Sequence, residues 1–337
     1  MFNPTAPVNE QLASYSDLFM LIAALVYAGA FILFAIDMAV SSSTIARLER
    51  ELADEREASG LPARGADEAQ TELVDDDMEY TGTGRRPIAN VAVAVTGVGW
   101  ALHAFAVIAR GIAASRVPWG NLYEFMTTGA VLVITVYLAF LFRKDLRFVG
   151  TFVSGLVVAM MCAATMGFPT PVGHLQPPLQ SPWLVIHVSI AVLATSLFTL
   201  TTAMAILQLL QHNAARRAAE GRRTWSFLRL VPSAGALENW SYRINAVGFV
   251  MWTFTVIAGA IWAEAAWGRY WNWDTKEVWS FVIWVVYAAY MHARATRGWT
   301  GVRSAWLSII GFSCIVFNYT IVNTYFPGLH SYAGLPS

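Results

Sequence analysis

Residues 18–40 read LFMLIAALVYAGAFILFAIDMAV, a run in which only Asp37 carries a charge. As a helix rising about 1.5 Å per residue, it covers about 35 Å, enough for the roughly 30 Å hydrocarbon core of a bilayer. Further apolar runs lie near 89–111, 123–142, 148–166, 184–211, 244–266, 280–296 and 304–323. The chain is 56% hydrophobic and 13% charged, too apolar for a soluble domain to keep its surface wet. The predicted fold is therefore all-α: a polytopic integral membrane helical bundle of about eight transmembrane helices. The fifth run is long enough to emerge from the bilayer. The first follows an acidic, polar N-terminus without the basic region and cleavage site of a signal peptide, so it is expected to be a retained span.

Charge orients the bundle. Lys and Arg total 22, and all but Arg110, Arg116, Arg269 and Lys276 fall in one alternating set of loops, such as Arg143–Lys144–Arg147 and Arg216–Arg217–Arg222–Arg223. Because positively charged loops stay cytoplasmic, both termini are expected outside, in a plasma membrane. Three segments follow: an outer N-terminus with the first helix (1–40), an acidic cytoplasmic linker (41–88) and a membrane domain (89–337). The linker carries Asp75, Asp76, Asp77 and Glu79 with little apolar content, and is expected to be solvated and largely disordered. Cys162 and Cys314 sit in apolar runs without CxxC spacing, so thiol chemistry would have to come from another protein. No nucleic-acid partner is expected, and no Ser-His-Asp or phosphate-cradling motif is present.

The outer loop before residue 280 has the richest chemistry. From Trp267 to Trp279 it reads WGRYWNWDTKEVW. An interfacial aromatic belt accounts for one or two of its indoles but not for this density with charges interleaved. A flat, largely apolar ligand with a few anionic groups accounts for both. Trp267, Tyr270, Trp271, Trp273 and Trp279 offer ring faces, while Arg269 and Lys276 can meet carboxylates. Haem is such a ligand. Asp274 and Glu277 have two readings at this point, direct ligand contact or fixing the loop.

The stretch GAIWAEAAWGRYWNWDTKEVWS from Gly259 to Ser280, with WVVYAAYMHAR from Trp284 to Arg294, resembles the tryptophan-rich WWD signature of the CcsA/ResC family of cytochrome c biogenesis proteins, whose members are also named CcsB. The similarity extends over most of the chain from about residue 90, including NLYEF (Asn121–Phe125) and SPWLVIHVSIA (Ser181–Ala191). Thr275 stands where the signature commonly has Pro.

The resemblance implies roles for three of the six histidines. His187 and His330 flank the tryptophan loop on the outer side and would form an external bis-histidine site for the iron of haem b. His292 lies deep in the seventh run, where an ionisable residue is a functional candidate by default. It shares a helix stripe with Trp284 and Ala288, and would belong to an inner haem site completed by a ResB-like membrane partner or by His103. His174 and His212 read as solvated, and Glu124 and Glu264 as satisfied interfacial groups. The expected function is the haem-handling subunit of a system II cytochrome c synthase (a haem lyase complex), moving haem outward and presenting it to apocytochrome c with a CxxCH segment. A haem exporter without attachment activity, a structural membrane anchor and a subunit delivering haem to a separate chaperone remain alternatives.

Overall fold

The computed structural model describes residues 7–59, 86–175, 179–222, 224–326 and 328–330. Among them are eight long helices: α1 (Glu10–Ala58), α2 (Pro87–Ala113), α3 (Leu122–Leu141), α4 (Gly150–Cys162), α5 (Pro182–Ala219), α6 (Ala234–Trp267), α7 (Thr275–Arg297) and α8 (Val302–Phe317). A π turn, Ala163–Gly167, extends α4, and a second, Asn318–Val322, extends α8 into a last helical turn at Asn323–Tyr325. The chain is an all-α polytopic membrane protein. Each of the eight expected spans falls on one helix.

Seven of these helices are long and apolar enough to cross a membrane. The eighth, α7, has the length, with 23 residues covering about 34 Å. Its Trp, Tyr, His292 and Arg294 make it less apolar. The acidic segment is helical at its start, where α1 continues to Ala58. The acidic run Asp75–Asp77 lies outside the described residues. The fifth helix is over-long as expected, with 38 residues.

Local chemistry sets the boundaries. Asn121 and Ser181 accept the backbone N–H of Glu124 and Trp183 at the starts of α3 and α5, and Pro182 fits the first turn of α5, where its missing N–H has no partner to lose. Gly268, with φ 72°, ends α6 in the left-handed conformation that glycine adopts without strain.

Helices α1 to α4, with one face of α5 and the start of α6, enclose one large apolar cluster, to which Tyr27, Phe34, Ile134, Val153 and Leu200 contribute. Helices α5 to α8 enclose a second around Phe198, Trp252, Ile283 and Tyr287, and α3 packs against α5 to join the two groups. In lipid, helix association depends on close packing, because a bilayer supplies no hydrophobic drive between apolar helices. Phe198 of α5 lies flat against Gly248 of α6, where a Cβ would come within 2.7 Å of its ring.

The two ends of the bundle differ in chemistry. At one end Arg110 reaches Asp17, and Arg110 and Arg116 converge on Glu124. At the other, Arg86 pairs with Asp37 and Arg294 with Glu238. The loops that the sequence assigns to one side of the membrane thus gather at one end. Replacing Gly248 by Leu should cost about 1–3 kcal/mol through overpacking, read as a lower thermal midpoint of the detergent-purified protein; unchanged stability would contradict the close α5–α6 approach.

Candidate functional site

At the Asp17–Glu124 end, α3, α5, α6, α7 and α8 part to form a partly open cleft, with about 1060 Å³ of non-atom space once the open solvent in its mouth is included. Its walls come from sequence-distant segments: Trp119–Leu122 and Phe125, the first turns of α5, the C-terminal half of α6, the tryptophan loop, the start of α7 and the π turn after α8. Three of the expected haem contacts line it, namely Tyr270, Trp271 and Lys276, together with His187 and His330.

The two histidines are held in the same way. His187 Nδ1 lies 2.9 Å from the carbonyl oxygen of Thr255. That oxygen can only accept, so Nδ1 carries the proton and Nε2 keeps a lone pair. The imidazole lies against Gly259, where a Cβ would come within 2.7 Å of the ring, and parallel to Trp262 at 6.0 Å between centroids. His330 Nδ1 lies 3.2 Å from Asp274 Oδ2, again an acceptor at neutral pH. Its ring meets Trp267 edge-on at 4.8 Å and Trp262 at 5.5 Å. Both imidazoles therefore tie up Nδ1, keep Nε2 as a donor to a metal, and share Trp262 as a neighbour.

Asp274 fixes more than His330. It caps α7 through the N–H of Lys276 and accepts the N–H of Leu329 at 2.8 Å. Glu277 completes a reciprocal capping box, and its Oε2 accepts the N–H groups of Asn272 and Asp274 at 2.9 and 3.2 Å. The loop-fixing reading of these two carboxylates is thus seen in the structure, through backbone donors rather than indoles. Burial works against the Asp274 carboxylate, but hydrogen bonds from His330, Lys276 and Leu329 prevail and hold it at about 2.

The wall opposite is built on buried charge. Glu124 is fully buried and accepts from Arg110 Nε at 3.0 Å, from Arg116 Nη1 and Nη2 at 2.7 and 2.9 Å, and from the Gly120 N–H at 2.8 Å. Arg110 also donates to the Thr170 carbonyl and Arg116 to that of Gly173, which ties the loop before α3 to the loop before α5. A buried carboxylate with this many donors is fully compensated, and it sets the position of the Trp119–Leu122 wall.

Residues 119–330 match the family described as Cytochrome C assembly protein. This chain belongs to that family. It is 36% identical over 243 residues to the cytochrome c biogenesis protein CcsA of Guillardia theta, covering 67% of this chain and 80% of that one. The Gloeobacter violaceus CcsA is 30% identical over 306 residues, covering 77% and 88%. Among solved structures, the cytochrome c haem lyase CcmF superposes with a TM-score of 0.57 at 15% identity. The alignment covers 95% of this chain but 48% of CcmF, so this likeness is one of fold, to about half of a longer protein.

Other expected site residues of this cytochrome c assembly protein stand outside the cleft lining. Trp267 packs behind His330. Trp273 is 77% exposed with φ 58°, a left-handed backbone unusual for a bulky residue, and sits edge-on to Trp271. Arg269 flanks the loop without lining the cleft. Trp279 packs on Phe317, and Trp284 donates its indole N–H to Thr253 of α6. His292 is exposed on a stripe of α7 with Phe281 and Val285, whereas His103 is fully buried against Tyr27 of α1. The structure does not bring these two histidines together. The lining also includes residues not singled out from sequence, among them Trp119, Trp252, Trp262, Asn318 and Asn323; polar asparagines inside an apolar run were the available signal for the last two.

Because Asp274 is held below its ordinary value of 3.8, its contribution to stability is full above about pH 4 and is lost as pH falls through about 2. Hydrogen exchange at Leu329 should show constant protection from neutral pH to about 4, with protection falling below that. Asp274→Ala should remove it at neutral pH, and unchanged protection in the variant would contradict the assignment.

Proposed function

We propose that this chain binds haem b as its cargo between His187 and His330, on the outer face of the plasma membrane, and presents it to apocytochrome c. The observation that carries the reading is the matched state of the two imidazoles, each with Nδ1 bound to an acceptor and Nε2 left for iron beside one cleft. Second partners of this kind orient a histidine ligand and raise its basicity. Aromatic walls suit the porphyrin faces.

In this reading the chain supplies position rather than a nucleophile. Holding the iron from both sides leaves the vinyl groups at the porphyrin edge for the two thiols of a CxxCH segment. Each S–H adds across a vinyl double bond, sulfur to one carbon and hydrogen to the other, so no oxidant is consumed. The client histidine displaces His330, which stands beyond the last helix and is held by Asp274, rather than His187, which is built into α5. His292 serves an earlier step. An imidazole exposed on a membrane helix is costly in lipid, and a ResB-like partner covering the Phe281–Val285–His292 stripe removes that cost while completing an inner haem site.

His187→Gly and His330→Gly should each lose the low-spin haem absorption of the purified protein, with added imidazole restoring it. His292→Gly should lower haem loading while leaving the outer spectrum intact. Normal haem content and normal cytochrome c output in both outer variants would overturn the proposal.

A further inference from the structure

The cleft is chemically two-sided. Toward α3, α5 and α6 it presents Phe125, Leu184, Val188 and Val256; toward α7 and α8 it presents Lys276, Ser280, Asn318 and Asn323. The polar side depends on the π turn Asn318–Val322. Asn318 and Asn323 are five residues apart and would diverge by about 140° on a regular α-helix of 3.6 residues per turn. The wider turn brings both to the cleft, and π turns of this kind cluster at functional sites.

Two groups on this side lack the partners that burial demands. Lys276 Nζ donates to Asn323 Oδ1 at 2.6 Å and lies 5.4 Å from the centre of the Tyr319 ring, but forms no ion pair among the described residues. Asn318 is 1% exposed, and its Nδ2 donates to Ser280 Oγ at 3.2 Å. Ser280 Oγ in turn donates to the Lys276 carbonyl oxygen, which fixes the amide orientation. Asn318 Oδ1 is then a buried acceptor without a donor, a state that costs free energy unless a ligand relieves it.

Resting on the haem reading above, we propose that the α7–α8 wall is a carboxyl subsite that orients the porphyrin by its acidic edge. Lys276 Nζ pairs with one propionate. Two carboxyls held side by side resist ionising together, so the second keeps its proton and donates it to Asn318 Oδ1. One carboxylate and one carboxylic acid match the single ammonium of the wall. The vinyl-bearing edge, opposite the propionates, is thereby directed toward the α3–α5 side. Lys276 and Asn318 select a diacid porphyrin, whereas the histidines select only the metal.

The test is a spectroscopic titration of the purified full chain with ferric haem and with its dimethyl ester, for wild type, Lys276→Met, Lys276→Arg and Asn318→Ala. Wild type should bind the diacid at least tenfold more tightly than the ester. Lys276→Met should erase that preference while both porphyrins still give the low-spin spectrum, Lys276→Arg should keep most of it, and Asn318→Ala should reduce it severalfold. Equal affinity of wild type for the two porphyrins, or full preference retained in Lys276→Met, overturns the subsite and leaves the histidine site standing. A wild type that gives a low-spin spectrum with neither overturns the haem reading and the subsite together.

Discussion

A single carboxylate, Asp274, joins the parts of the site that the chain supplies from different places. It ends the tryptophan loop, starts α7 and binds the segment beyond the last helix through Leu329 and His330. Without it the His330 ring would lose its hydrogen-bond partner and keep its contacts with Trp262 and Trp267, and the start of α7 would lose its cap. Reciprocal support from Glu277 explains how a short loop bearing bulky aromatics keeps one conformation, including the left-handed backbone at Trp273. Strain of that kind persists only where the surroundings over-determine it.

The two imidazoles are held by unequal means. His187 projects from a helix of 38 residues and is pressed between Gly259 and Trp262, so its position is fixed by backbone that extends through the bundle. His330 is fixed by a carboxylate and two indole edges at the bundle's end. Under the proposed function, one ligand fixed in the bundle and one that can be displaced suit a site that holds a cargo and then releases it. The buried Arg110–Arg116–Glu124 cluster supplies the third fixed element, an opposite wall, at the cost of desolvating two guanidiniums and one carboxylate, with Asp17 supplying the second negative charge.

Length and apolarity made the membrane bundle legible, because backbone in hydrocarbon has few ways to satisfy its polar groups. That His187, His330 and part of the tryptophan loop share one end of the bundle was legible too, since alternation of the helices puts them on one side. Side-chain direction was not. Within α7, Lys276 and Ser280 face the cleft, while Trp279 turns to Phe317 and Trp284 lies two turns deeper against α6. The density of indoles in the loop suggested one platform; helical phase turns Trp279 away from it, while Trp284, in phase with Lys276 and Ser280, lies deeper than the cleft lining. Asn318 and Asn323 escaped notice for the converse reason: their spacing places them together only across a π turn, which an α-helical period does not anticipate. Trp262, the indole that both histidines share, comes from the body of α6 rather than from the loop.

The account stands on iron held by both outer histidines. The most direct measurement is electron paramagnetic resonance of the ferric, haem-loaded protein prepared with and without ¹⁵N-labelled histidine. Bis-histidine ligation predicts, in wild type, a low-spin signal with hyperfine coupling to two histidine nitrogens; His330→Gly should lose the low-spin signal, and any haem it retains should couple to one histidine nitrogen. A high-spin signal in wild type, or coupling in wild type to a single histidine that is unchanged in His330→Gly, would contradict it.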